Sequence, residues 1–269
     1  MHIDRDGARI SYTVEGSGPP ILLGHSLLCD GSMWREVAPA LAGRYRLITI
    51  DARGHGASTA ERPFTLDDLA DDWLAVLDRE GIDRAALVGL SMGGMTAMRV
   101  ALRAPARVAA LALLDTSADR EPLKPRLRNR LLAEVVRRVG FPHVAVPIAL
   151  RALLGETTLR ERPELVRSLR AQLLSLDRRV YHAARAVFDR PPIADRIAAI
   201  RCPTLVLVGE EDVATSLSRS RRIAERIPGA RLVTVPRVGH LTALEAPAAV
   251  VSALEELLAP LAADHTWWR

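Results

Sequence analysis

Ser91 sits at the centre of Gly89-Leu90-Ser91-Met92-Gly93, directly after the apolar run Ala85-Ala86-Leu87-Val88. The order reads as a strand, a tight turn with serine at its apex, and a helix. A serine so placed can attack a carbonyl carbon, because the sharp turn lifts its hydroxyl clear of the sheet. The backbone at such an apex is strained. Side chains two residues before and two after would collide there, which accounts for Gly89 and Gly93. The helix that follows begins with free N–H groups, and the Met92 N–H is expected to hold the oxygen that gains charge during attack.

A serine hydroxyl needs a base, and a base working near neutral pH is a histidine held by a carboxylate. Of seven histidines, His240 is best placed. It ends the loop Pro236-Arg237-Val238-Gly239-His240, after the apolar run Arg231–Val235 and ahead of Glu245-Ala246-Pro247. The favoured acid is Asp212, in the turn Gly209-Glu210-Glu211-Asp212 that follows Thr204–Val208. Glu210 and Glu211 compete by proximity, and Asp115 competes because it ends the run Val108–Leu114 at the same edge. The second oxyanion donor is expected in Gly24-His25-Ser26-Leu27-Leu28, with the Leu27 backbone N–H as the candidate. His25, Leu28 and Trp34 are read as pocket residues. Asp51-Ala52-Arg53-Gly54-His55-Gly56 ends another strand at this face. It is read as structural, with a direct role for His55 the less favoured alternative.

These residues require parallel strands that end at a common edge. Short apolar runs alternate with helical patterns, which implies βαβ units and a mostly parallel sheet flanked by helices. Strands are expected at Arg9–Val14, Ile21–Leu23, Arg46–Ile50, Ala85–Val88, Val108–Leu114, Thr204–Val208 and Arg231–Val235. Helices are expected at Met33–Leu41, Thr65–Arg79, Met92–Arg103, Ser216–Arg226 and Ala246–Leu261, with Thr65 and Asp68 in the form of a capping box. Residues 119–196 break the rhythm. They carry helical periodicity at Leu127–Val139 and Glu164–Leu176, punctuated by prolines, and no convincing strand. This segment is read as a helical cap on a core formed by residues 1–118 and 197–269, since a crossover helix needs far fewer residues.

The 269 residues carry a formal charge of +5, and Lys124 is the single lysine. Residues 119–196 hold 17 basic and 9 acidic residues, a net of +8, which leaves the rest of the chain at −3. The basic excess is dispersed and only 4% of residues are aromatic, so nucleic-acid binding is a poor reading. A solvated arginine-rich helical surface is favoured over attraction of an anionic substrate. No apolar stretch approaches the ~20 residues of a membrane helix. The charged start of the chain is unlike a secretory signal, and two distant cysteines suggest neither a disulfide framework nor a metal site; a cytoplasmic setting is expected.

Over nearly its full length the chain resembles the α/β-hydrolase superfamily. Three stretches carry the likeness: Gly24–Trp34 with Asp51–Ser58, Val88–Met95, and Val208–Pro247. The resemblance implies the α/β-hydrolase fold, with a cap inserted after the sixth strand and the chain order Ser91, Asp212, His240. Gly89–Gly94, Ile223–Ala230 and His240–Glu245 look like the 3-oxoadipate enol-lactonases, and His25–Trp34 looks equally like the cofactor-free haloperoxidases and related esterases. His25-Ser26 stands where the common pattern has His-Gly. The expectation is a cofactor-free serine hydrolase of a small-molecule ester or lactone. The alternatives are a perhydrolase using the same residues and, further off, a ligand-binding protein without turnover.

Overall fold

The central strands are apolar at successive positions, and the structure buries both faces of them. In the computed structural model, which describes residues 1–262, Ile21 and Leu23 face one apolar layer while Leu22 faces the other. Val88 and Leu90 divide from Leu87 in the same way, as do Leu205 and Leu207 from Val206. This two-sided burial, at ~1.5–3 kcal/mol for each large apolar side chain, is what continuous apolar runs encode.

Eight strands form one sheet: β1 (His2–Arg5), β2 (Ala8–Glu15), β3 (Pro20–Gly24), β4 (Arg46–Ile50), β5 (Ala85–Leu90), β6 (Val108–Leu114), β7 (Thr204–Gly209) and β8 (Arg231–Val235). Their order is β1-β2-β4-β3-β5-β6-β7-β8. β1 pairs antiparallel with β2, and β2 antiparallel with β4; all other pairs are parallel. The carboxyl ends of β3 to β8 therefore open onto one edge. β1 was not expected from sequence. It is an edge strand with partly and fully exposed residues, so it lacks an apolar run.

Helices α1 (Ala38–Ala42), α2 (Leu66–Arg79) and α3 (Met92–Arg103) fall between the first six strands. The Thr65 hydroxyl accepts from Asp68 N–H while Asp68 accepts from Thr65 N–H, so α2 starts with the expected capping box. The continuous helix expected over Met33–Leu41 is instead a single 3-10 turn, Gly31–Trp34, followed by α1. Pro39, near the start of α1, cannot donate a helical hydrogen bond, and this splits the segment. Between β6 and β7 lie α4 (Leu123–Val139), α5 (Val146–Leu153), α6 (Glu156–Glu161), α7 (Pro163–Ser175) and α8 (Val180–Phe188). α9 (Leu217–Arg226) joins β7 to β8, and α10 (Thr242–Glu245) and α11 (Pro247–Ala262) follow β8.

α2, α3 and α9 cover one face through Trp73, Met98 and Ile223, and α11 covers the other through Val250, Leu254 and Leu258. The inserted helices join this second layer. Leu150, Leu169 and Val187 belong to the same apolar cluster as Leu27, Met92 and Met95 at the strand ends. Among the described residues, no helix is long and apolar enough to cross a membrane. The terminal Trp267-Trp268 lies outside the described residues.

Candidate active site

Ser91 caps α3 with φ 54° and ψ −109°, a left-handed conformation that costs a non-glycine residue free energy. The turn is held from every side. Ser91 N–H donates to Leu114 O at 2.8 Å, and Ser91 O accepts from the Thr116 hydroxyl at 2.7 Å and from Met95 N–H at 2.9 Å. A Cβ on Gly89 would lie 2.3 Å from the Gly93 carbonyl, and one on Gly93 would lie 2.3 Å from Gly24 O. The glycines of the pentapeptide thus let two backbones touch each other and the end of β3. Ser91 Oγ has no hydrogen-bond partner among the described residues, and Ser91 lines a cavity of about 370 Å³.

His240 lines the same cavity. Its Nδ1 lies 2.9 Å from Asp212 Oδ2. Asp212 is oriented in turn: Oδ1 accepts from Ala214 N–H and Thr215 N–H at 2.8 and 2.9 Å, and Oδ2 accepts from the Thr215 hydroxyl at 2.7 Å. Burial alone would raise the Asp212 carboxyl, but the charge and hydrogen bond of His240, with the Thr215 bonds, hold it below its ordinary value. Burial likewise acts to lower His240, and the adjacent Asp212, with Asp115 and Glu245, holds it above its ordinary value. With Nδ1–H given to Asp212, the Nε2 lone pair is left to accept a proton.

The other carboxylates have other work. Glu210 is exposed, and Glu211 accepts from the Thr157 N–H and hydroxyl, fastening α6 to the edge of the sheet. Asp115 is fully buried at φ 44° and accepts from Gly209 N–H at 2.9 Å and from the Thr242 hydroxyl. It joins the ends of β6 and β7 to α10 and makes no hydrogen bond to His240. Burial and the charge of Asp212 raise its carboxyl well above the ordinary range.

Two contributors were not singled out from the sequence. Thr215 bridges Asp212 and His240, with its hydroxyl 3.2 Å from His240 Nδ1. Glu245 brackets the histidine, since Oε2 accepts from Gly239 N–H at 3.1 Å and Oε1 from Leu241 N–H at 3.0 Å. Glu245 Oε2 also accepts from Gly155 N–H at 2.9 Å, so one carboxylate ties the histidine loop to the α5–α6 junction. Backbones meet there: a Cβ on Gly239 would lie 2.0 Å from Gly155 N, and one on Gly209 would lie 2.1 Å from Gly239 O. Glu245 is visible in sequence as part of the run His240–Glu245, but nothing local names the N–H groups it binds.

On the opposite side, neither Leu27 N–H nor Met92 N–H has a partner among the described residues. Unpaired buried donors are rare, and Met92, next to Ser91, is not itself among the residues that line the cavity. Leu27 and Leu28 line the cavity, as does Ser26. His25 and Trp34, read from sequence as pocket residues, do not. His25 Nδ1–H donates to Ser26 O at 2.7 Å while Nε2 accepts from Ala52 N–H at 2.9 Å, so its ring is consumed in holding the loop. Trp34 is buried in the β3–α1 connection and lines a separate cavity with Tyr12 and Thr49. His55 acts as a support: Nε2 accepts from Leu28 N–H at 3.3 Å, and Leu28 is held at φ 67°. Burial, with the neighbouring His25, lowers His55 to about 3, and burial lowers His25 as well, the two rings lying 5.0 Å apart between centroids.

A sequence profile described as alpha/beta hydrolase fold matches residues 19–247. The 3-oxoadipate enol-lactonase 2 of Acinetobacter baylyi is 28% identical over 252 residues, covering 93% of this chain and 92% of that protein. A thermophilic esterase from Thermogutta terrifontis, solved with malate bound, superposes with a TM-score of 0.89 at 32% identity over 94% of each chain. The enol-lactonase of Burkholderia xenovorans LB400 gives a TM-score of 0.89 at 27% identity, over 96% of this chain and all of that one.

Proposed function

The chain belongs to the α/β-hydrolase fold family, and from that premise we propose that it cleaves a carboxylic ester or lactone through an acyl-enzyme on Ser91. The observation that carries the reading is one shared cavity. Ser91, strained and without a side-chain partner, lines it together with His240, whose far nitrogen is bonded to Asp212.

In this reading His240 Nε2 takes the Ser91 proton as Oγ attacks the carbonyl carbon. The tetrahedral oxygen is held by the N–H groups of Leu27 and Met92, which aim fixed dipoles where charge develops. His240 then gives its proton to the leaving alkoxide. A water molecule, deprotonated by His240 in the same way, attacks the acyl-enzyme and releases the acid. Asp212 fixes the tautomer and stabilises the charged ring. Residues 119–196 act as a cap whose helices supply most of the apolar wall. A lactone would follow the same course, with the leaving alkoxide remaining part of the product.

The test is intact-mass spectrometry after treatment with a fluorophosphonate. One adduct on the wild type and none on Ser91→Ala is expected, alongside loss of turnover of 4-nitrophenyl esters. Unchanged turnover in folded Ser91→Ala would refute the scheme.

A further inference from the structure

The cavity that holds Ser91 is apolar along α4, α5 and α8 but not at every point: Glu121, Arg190 and Arg219 also line it. Arg190 is 3% exposed. Its Nη1 donates to Val187 O at 2.7 Å, its Nη2 reaches Glu121 Oε2 at 3.5 Å, and its buried Nε has no partner. Arg219 Nη1 donates to that same Glu121 Oε2 at 3.2 Å, and its Nε and Nη2 have no partner among the described residues. Two guanidiniums thus share a single carboxylate oxygen. The next acidic group, Asp119, is engaged by Arg222. A third cation, Arg128, lines the cavity with only Asn129 Oδ1 against its side chain, at 3.4 Å.

A buried cation without a full counter-charge is costly, and here burial pushes the Arg190 guanidinium below its ordinary value, with Arg219 adding to the effect. An α-helical surface needs no such arrangement, because arginine placed for solubility points to water. Arg219 keeps Nε and Nη2 open, a fork of the geometry that binds carboxylates, and Arg190, whose unpartnered Nε is itself shut off from solvent, adds its charge beside it.

We propose that Arg190 and Arg219 form a carboxylate-binding pole inside the cavity, so that the preferred substrate is an ester or lactone bearing a second, free carboxylate. This rests on the hydrolase reading above for the chemistry, though not for the binding. Glu121 holds the two guanidiniums in place when the pole is empty and competes with the ligand carboxylate when it is filled. The effect on the basic excess of residues 119–196 is specific: most of it is solvated surface, while Arg190 belongs to the site.

The test uses matched substrates on the full-length protein. 4-Nitrophenyl octanoate and mono-4-nitrophenyl suberate differ only in a terminal methyl against a terminal carboxylate. The ratio of their kcat/KM values, suberate over octanoate, is expected to be about tenfold or more in the wild type, the scale of one charge-assisted contact. Arg219→Gln should collapse that ratio towards one, mainly through KM of the suberate half ester. Glu121→Gln should raise it. A merely structural role for these residues would move both substrates together and leave the ratio in place. Suberate binding measured by calorimetry provides a readout free of turnover, strong in the wild type and weakened in Arg219→Gln. A wild-type ratio near one with no suberate binding would overturn the proposal, as would Glu121→Gln lowering the ratio in step with Arg219→Gln. Suberate binding without hydrolysis of either ester would uphold the pole and sink the esterase reading; hydrolysis of both at equal rates would do the reverse.

Discussion

His240 Nδ1 and Asp212 Oδ2 lie 2.9 Å apart, while Asp115, equally buried, makes no hydrogen bond to the histidine. Two carboxylates therefore stand near one imidazole, and geometry separates their roles. Asp212 is surrounded by donors that favour the ionised form. Asp115 is raised by burial and by the neighbouring charge.

That separation gives opposite expectations for two isosteric changes. Asp212→Asn should lower kcat by about 10³–10⁴-fold, because the amide reverses the tautomer that His240 needs. Asp115→Asn should keep kcat within about tenfold, since an amide can still accept from Gly209 N–H and tolerates φ > 0. Steady-state kinetics on both variants decides which acid serves His240; a larger loss in Asp115→Asn would reverse the assignment.

The acid limb of activity should lie above the ~6.5 of a free histidine. His240 is raised in the folded protein, so its proton is retained to higher pH and the neutral base is lost as pH falls through that raised value. A kcat/KM profile of the wild type should show the shift, and Asp212→Asn should move any residual limb downwards. A wild-type midpoint below that of free histidine would contradict the electrostatic account.

Glu245→Gln should impair both stability and turnover. The carboxylate accepts from Gly155, Gly239 and Leu241 N–H groups, and a carboxamide places a donor against at least one of them. Stranding one buried donor costs about 1–3 kcal/mol. Thermal or urea unfolding should register that loss, with a drop in kcat larger than the change in KM because the His240 loop shifts. An unchanged midpoint would mean that the clamp carries no weight.

Asp72→Ala should destabilise the protein by about 3–5 kcal/mol, because it strips a buried guanidinium of its bidentate partner and leaves it only Asp6, at 3.9 Å. Arg53 Nε and Nη2 donate to the two Asp72 oxygens at 2.6 and 2.7 Å, with both side chains almost fully buried. This pair anchors the loop after β4 to α2, beneath His55. Replacing both partners with apolar residues should cost much less than Asp72→Ala, and denaturant midpoints of the single and double variants make the comparison.

The elbow and the strand ends were legible because each leaves a local mark. Apolar runs mark strands buried on both faces, and Gly89 and Gly93 mark the turn that clears Ser91. Edge strand β1 left none, since pairing on one side only does not demand apolar residues. His25 was misread for a related reason. A polar residue beside a predicted oxyanion loop looks like a pocket residue, and only the fold shows that Ser26 O and Ala52 N–H take both ring nitrogens. Thr215 and Glu245 act on backbone groups brought close by tertiary structure, which sequence neighbourhood does not display. The arginine pole was hidden in a charge total, where one buried guanidinium weighs the same as a solvated one.

The contact among Gly155, Gly209 and Gly239 bears on how the His240 loop is fixed. Three main chains from separate parts of the polypeptide meet there, with the Glu245 carboxylate bridging the Gly155 and Gly239 N–H groups, and one of the three belongs to the α5–α6 junction. Any Cβ at Gly155 would press on Glu211 Oε2, at 2.5 Å, and on the Val238–Gly239 backbone next to His240. Variation in α4 or α8 carries no such restriction. A side chain added at Gly155 would thus be felt at the His240 loop, while the cavity walls along α4 and α8 stand apart from that joint.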